Sequence, residues 1–264
     1  MRFTKMHGLG NDYIFLNCME GTPDDLPGLS RRLSRRHFGV GGDGIICVCP
    51  SDRADFRMRM FNADGSEGAM CGNGIRCFGK YVWDKGLTDK AHLTIETAAG
   101  ERDISLMIRE RKVYAAAVDM GVPTVGPAVE LAVGDARCRA VPVSMGNPHA
   151  VIEADDPAGV DLRAVGPLVE RHAAFPGRVN AEFVRVLNRG ELEVRVWERG
   201  SGETMACGTG ACAAVCAMAA SGKLDREAAV HLAGGDLQVR WEEKSGHVFM
   251  TGPAETVFDG ELAD

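Results

Sequence analysis

One stretch of this chain occurs twice, and that repetition limits the folds open to it. Asn62 to Gly74 reads NADGSEGAMCGNG, and Glu198 to Gly210 reads ERGSGETMACGTG. Cys71 falls on Cys207, an offset of 136 residues. The same offset aligns Gly72 with Gly208, Gly74 with Gly210, Glu67 with Glu203 and Phe61 with Trp197. Upstream it runs on without a gap. Phe56, Met58 and Met60 fall on Leu192, Val194 and Val196, one alternating strand written twice, and Gly10-Asn11 falls on Gly146-Asn147. The 264 residues therefore read as two copies of one unit. The expected domains are 1–119 and 120–253. Met250-Thr251-Gly252-Pro253 resembles the crossover Met120-Gly121-Val122-Pro123, so about 254–264 is expected to return to the first domain.

Each cysteine precedes a helix. Ala211 to Ala220, ACAAVCAMAA, has no charged or strongly polar side chain. A helix apolar all round is a buried helix. Cys207 is thus expected at the N-terminus of a core helix, and Cys71 at that of its counterpart, Ile75–Lys85. N–H groups without intrahelical partners and the positive dipole end gather there, binding anions and lowering a thiol pKa. Further helices are expected at Leu26–His37 and Asp161–His172, and a β-meander at the end of each unit. Asn11 is expected in the glycine-rich turn His7–Tyr13, and Asn147 in the equivalent turn of the second copy. Matched asparagines point to a functional amide more than to turn formation.

Composition narrows the function. Net charge is −7, which argues against a nucleic-acid partner, and no apolar run is long enough to span a membrane. MRFTKMHGLGNDY lacks the apolar core of a signal peptide, and the nine cysteines form no CxxC pair. A reducing cytoplasm and unbridged thiols are expected. The cysteine spacing does not suit structural zinc, and no metal is expected.

Inverting a stereocentre requires one group to remove a proton from one face of a carbon and another to deliver a proton from behind. Two units with one thiol each supply that pair. The backbone N–H groups of Gly72-Asn73 and Gly208-Thr209 could hold a carboxylate beside the reacting carbon and stabilise the charge that develops on it.

HGLGNDY, NADGSEGAMCGNGIRC, MGNPHAV, Asn180 with the Glu182-Phe183-Val184 that follows, and WERGSGETMACGTGACA resemble diaminopimelate epimerases over almost the whole chain. The resemblance implies an α+β class and the diaminopimelate epimerase-like fold. In that fold two pseudo-symmetric domains each wrap a mainly antiparallel β-sheet around a central helix. It implies a homodimer, no cofactor, and pyridoxal-independent interconversion of LL- and meso-2,6-diaminopimelate for lysine and peptidoglycan precursors. Cys71 and Cys207 would be the catalytic pair. Asn11, Asn62, Asn147, Asn180, Glu198, Arg199 and the amides of Gly72, Asn73, Gly208 and Thr209 would bind substrate. Arg199 suits a bidentate grip on the distal carboxylate. The role of His149 stays open.

One departure is Gly44, where some relatives carry Gln. The alternatives are a proline racemase or hydroxyproline epimerase of the same fold, which carry MCGH where this chain has Asn73. A cysteine-free phenazine-type isomerase is a further branch. From a different class comes a non-catalytic small-molecule or metal-binding protein.

Overall fold

A computed structural model describes residues 1–134 and 136–262; residues 135, 263 and 264, within the expected domain limits, lie outside the described residues. The chain divides into two compact units, Met1–Val118 with Gly252–Asp264, and Asp119–Thr251.

Unit 1 begins with β1 (Arg2–Gly8), β2 (Asn11–Asn17), α1 (Leu26–Leu33), β3 (Gly44–Cys49), β4 (Phe56–Asn62) and β5 (Glu67–Gly68). It continues with α2 (Gly72–Asp84), β6 (His92–Thr97), β7 (Gly100–Arg109) and β8 (Lys112–Asp119). Unit 2 holds β9 (Thr124–Val125), β10 (Val129–Val133), β11 (Ala136–Ser144), β12 (Pro148–Glu153), α3 (Leu162–Glu170), β13 (Asn180–Asn188), β14 (Glu191–Glu198) and β15 (Gly202–Thr204). Then follow α4 (Gly208–Ala220), β16 (Glu227–Leu232), β17 (Gly235–Trp241) and β18 (Val248–Pro253). The last strand, β19 (Glu255–Glu261), belongs to unit 1 and pairs antiparallel with β1.

The two units share one wiring. In unit 1, β2 lies antiparallel to β1 and parallel to β3, β4 lies antiparallel to β3, and β6 runs parallel to β4. In unit 2, β12, β11, β13, β14 and β16 repeat those pairings. The helices α2 and α4 sit 136 residues apart at both ends. The outer neighbour of the first strand differs in origin: β19 comes from the far end of the chain to β1, while β10 comes from just ahead of β11.

Alternation places the layers. In unit 1 the odd face of the strands, with Ile45, Cys47 and Phe61, packs with Ile14 and Leu16 on Leu26, Leu29 and Leu33 of α1. The other face meets α2: Phe15 stacks on Tyr81, and Phe56 meets Phe78 edge-on. In unit 2, α3 closes one face through Leu162 and Val169. The helix α4 packs against β9, β11 to β14, β16 and β17, with Gly208 and every residue from Gly210 to Met218 buried. A charged residue at Ala214 would enter that closed interior at a cost of several kcal/mol.

The structure shortens the expected helix Leu26–His37 to Leu26–Leu33. Beyond Ser34 the chain folds back: Gly39 N donates to Arg35 O, Gly41 N to Leu33 O and Gly42 N to Ser34 O. Carbonyls that would have continued the helix are spent on that turn. Asn11 is likewise the first residue of β2, not part of the turn. The turn is Leu9-Gly10, and Gly10 and its counterpart Gly146 take φ of 84° and 92°. Those left-handed glycines deliver Asn11 and Asn147 to matched places.

Candidate active site

In unit 1, Cys71 is the N-cap of α2, with extended φ and ψ of −130° and 121°. Its carbonyl accepts from Ile75 N at 2.9 Å, and its sulfur accepts from Gly74 N at 3.4 Å. A sulfur thus stands where a cap oxygen normally does, against the N–H groups of the first turn. The thiol donates to Asn11 Oδ1 at 3.2 Å. The orientation of that amide follows from its other end, where Asn11 Nδ2 donates to Asp43 Oδ2 at 2.7 Å. Asp43 in turn binds Arg36, which also holds Asp12. Asn73, buried in the first turn of α2, donates to Asn11 and accepts from Arg76. Arg76 is fully buried and also donates to Gly72 O and Pro253 O. Asn62 closes β4, with its amide on Ser66 Oγ at 3.0 Å. Opposite it stands Gly44, where a Cβ would lie 2.1 Å from Phe61 O. A side chain at position 44 would therefore require the backbone there to shift.

In unit 2, Cys207 caps α4 in the same extended conformation, φ −117° and ψ 112°. Thr209 Oγ1 lies 3.5 Å from its sulfur and accepts from Asn147 Nδ2 at 3.2 Å. Asn147 Oδ1 meets His149 Nε2 at 3.0 Å, and His149 Nδ1 meets Glu182 Oε1 at 2.7 Å, both side chains fully buried. The second oxygen of Glu182 is buried with no partner among the described residues. Glu198, at the end of β14, accepts from Thr204 Oγ1. Asn180 starts β13 and ties two segments together: its Nδ2 donates to Pro148 O at 2.9 Å, and its Oδ1 accepts from Arg199 N at 2.8 Å. The exposed guanidinium of Arg199 donates to Gly177 O.

The electrostatics of Cys207 reverse an expectation. A helix N-terminus lowers a thiol pKa, and here the Gly210 N–H and the Thr209 hydroxyl pull that way. Burial outweighs them, and the charges of Glu198 and Glu182 add to it, so the Cys207 thiol titrates well above its usual range. Burial also raises Glu198, and the charge of Glu182 works in the same direction.

Within each unit part of the residues singled out from sequence gathers at one helix end, while the Asn62 amide bonds Ser66 beyond β4, Asn180 bonds Pro148 O and Arg199 N, and the Arg199 guanidinium bonds Gly177 O. Asn11, Gly72 and Asn73 lie with Cys71, while Asn147, Gly208, Thr209 and Glu198 lie with Cys207. Sequence reasoning missed Asp43, Glu182 and Thr204. The repeat offset carried a signal for one of them: it places Glu182 on Ile46 of a wholly buried strand, where a carboxylate is out of place.

A family model described as diaminopimelate epimerase matches residues 3–126 and 141–257, one stretch for each half. A diaminopimelate epimerase of Moorella thermoacetica is 51% identical, covering 99% of this chain and 99% of its own. One of Agathobacter rectalis is 49% identical with the same coverage. A solved hydroxyproline epimerase of Agrobacterium vitis, with trans-4-hydroxy-L-proline bound, aligns with a TM-score of 0.72 at 16% identity, over 98% of this chain and 91% of that one, and shares the fold. The chain belongs to the diaminopimelate epimerase family.

Proposed function

We propose that the chain interconverts LL- and meso-2,6-diaminopimelate by a two-base reaction in which Cys71 and Cys207 are the acid and base. The observation that carries this reading is the matched placement of the two thiols, each capping a buried helix 136 residues from its twin. One thiolate takes the α-proton and becomes a thiol. The other thiol gives its proton to the opposite face of the same carbon and becomes a thiolate. Cys207, held protonated by burial and two carboxylates, is the donor in the resting protein. The direction that starts from its thiolate draws on the substrate's ammonium, whose charge offsets Glu198.

The N–H groups of Gly72, Asn73, Gly208 and Thr209 hold the reacting carboxylate, and one lost donor of that kind costs about 2.7–4 kcal/mol. Asn11 and Asn147 position the two thiols and the reacting end. Arg199, Asn62 and Asn180 hold the distal end. Neither cysteine motif carries a lysine that could form an imine with pyridoxal, so the same reading needs no cofactor. It places the enzyme in the cytoplasm as a homodimer, and the exposed Val257 and Phe258 of β19 support self-association.

Turnover in heavy water tests the reading. Product should carry deuterium at the α-carbon from the first turnover, while unreacted substrate stays protiated early on. A single base swinging between faces would carry the original proton across, and early product that keeps protium would rule the two-base reading out.

A further inference from the structure

We propose that Asp43 is a positioning residue: it turns the side-chain carbonyl of Asn11 toward the Cys71 thiol and so favours the protonated form of that thiol. The inference rests on the reading of Cys71 as an acid and base. A carboxamide can present either its oxygen or its NH₂ group to a neighbour. Its orientation is decided by partners that only give or only take hydrogen bonds. Asp43, ion-paired with Arg36 at 2.9 Å, only takes. Its Oδ2 accepts from Asn11 Nδ2 at 2.7 Å and from Asp12 N at 3.1 Å. Two backbone bonds hold Asp43 in place: its N–H donates to Asp12 O at 2.7 Å, and its carbonyl accepts from Ala63 N at 2.9 Å. Asn11 Oδ1 is therefore left at the other end of the amide. There it accepts from Cys71 Sγ at 3.2 Å and from Asn73 Nδ2 at 3.5 Å.

In the second unit the matched amide stands the other way round. The offset of 136 puts Val179, which has no side-chain acceptor, at the position of Asp43. Asn147 turns its Oδ1 away from the helix end, to His149 Nε2 at 3.0 Å. Its Nδ2 points toward the helix end and donates to Thr209 Oγ1 at 3.2 Å. Thr209 is the counterpart of Asn73. One asparagine thus meets the end of α2 with an acceptor, and its twin meets the end of α4 with a donor. The same residue type in the same place does opposite work because its far end is held by a carboxylate in one copy and by an imidazole in the other. An acceptor on a thiol stabilises S–H against S⁻, and a donor does the reverse.

The negative charge of Asp43 disfavours the Cys71 thiolate as well, so charge and amide orientation have to be separated. The other charged or titratable groups near the pair come from four segments. Tyr13 and Asp12 follow Asn11 on β2. On β1, Lys5 pairs with Asp12, and His7 accepts from Gly10 N. Arg36, beyond α1, binds both Asp12 and Asp43. On α2, Arg76 bonds Gly72, Asn73 and Pro253, and Cys77 is buried. All of these stay unsubstituted in the four proteins compared below, so their charges drop out of the comparison.

The test is a double-mutant cycle read at the sulfur, so it does not depend on turnover. The parent, Asp43→Ala, Asn11→Ala and the double variant are alkylated with iodoacetamide across pH, and Cys71 is followed by peptide mass spectrometry. Asp43→Ala should lower the Cys71 midpoint, because the released amide can turn its NH₂ group to the thiolate. The fall should be larger by about one pH unit with Asn11 present than in Asn11→Ala, about tenfold more thiolate at a given pH. A fall as large or larger in Asn11→Ala would leave only the charge of Asp43 and overturn the proposal. So would a midpoint that stays put or rises. Neutron diffraction from deuterium-exchanged crystals of the parent reads both amides directly, and it decides the matter if a variant does not fold. The deuterons on Asn11 Nδ2 should face Asp43, and those on Asn147 Nδ2 should face Thr209. Deuterons of Asn11 aimed at Cys71 would overturn the assignment. Failure of the two-base reading itself would show separately, in the heavy-water experiment.

Discussion

Cys71 and Cys207 occupy the same place in the two copies, but in different company. Cys71 is partly exposed and donates to an amide. Cys207 is buried, with Glu198 and Glu182 raising its pKa and an imidazole bonded to one of them. Four matched positions make the difference: Tyr13 against His149, Ile46 against Glu182, Asn62 against Glu198 and Asn73 against Thr209. The backbone duplicates the thiols and their helix ends. At Cys207, burial and then the charges of Glu198 and Glu182 hold the thiol above its usual range. On the proposed two-base reading, a duplicated scaffold would then run an exchange between two thiols in unlike surroundings.

The comparison is broken most severely by removing either sulfur. Cys71→Ser and Cys207→Ser should each end epimerisation, a loss of at least the 10²–10⁴-fold that a positioned acid or base contributes. On the two-base reading the remaining thiol should still exchange its own face of the carbon. Each variant should therefore wash deuterium into one isomer only, and the two variants into opposite isomers, read by proton NMR of the α-position. A variant that exchanges both isomers would show that the two sulfurs do not divide the faces between them.

Next in size is Arg199, which only unit 2 has; the matched residue in unit 1 is Ala63. Arg199→Lys keeps the charge but loses the planar fork. It should lower kcat/KM for diaminopimelate by about 1.5–3 kcal/mol, the range for a hydrogen bond between charged groups. An unchanged kcat/KM would take Arg199 out of distal recognition.

Most of this architecture was legible because it was written twice. The offset of 136 carries α2 onto α4 and Asn11 onto Asn147 residue for residue, and the apolar run Ala211–Ala220 announced a core helix. What stayed hidden follows from interactions that no local pattern encodes. The end of α1 depends on a glycine turn folding back over Leu33. The upward shift at Cys207 comes first from burial, then from Glu198 and from Glu182, two strands away in sequence. A helix terminus seen alone lowers a thiol pKa, while the whole environment raises it here, since burial and two carboxylates together exceed the dipole.

That balance is open to test. Glu198→Gln removes the stronger of the two carboxylate charges acting on Cys207 while leaving burial in place. The pH midpoint of Cys207 alkylation should fall by about one unit, about 1.4 kcal/mol. The midpoint of Cys71, in the unit without such a carboxylate, should not move. A Cys207 midpoint that stays put would leave burial as the whole cause and remove the carboxylates from the contrast between the two sites.

The smallest expected effect concerns acid. Unit 1 braces the turn beside Asn11 with Lys5, Asp12, Arg36 and Asp43, whereas unit 2 has Val141, Pro148, His172 and Val179 at the matched positions. Burial alone would raise Asp12, but Arg36 and Lys5 outweigh it and hold the carboxyl below its ordinary value. A carboxylate whose pKa is lowered by folding stabilises the folded state in full above its unfolded value, near 4, and loses that contribution as pH falls through the lower folded value. Arg36 is 57% exposed against 15% for Asp12, so the contribution is about 1 kcal/mol, the upper end for pairs that solvent screens. In urea unfolding, Asp12→Asn should therefore be less stable than the parent by about that amount at pH 7, and the gap should close as pH drops below 4. Hydrogen exchange locates the effect. Acid should speed exchange of amides in β1, β2 and residues 39–44 in the parent, and those amides should exchange faster in Asp12→Asn already at pH 7. Amides of β11 and β12 should respond to neither change. Equal acid sensitivity in the two copies would show that this ionic brace, unlike the thiol surroundings, does not distinguish them.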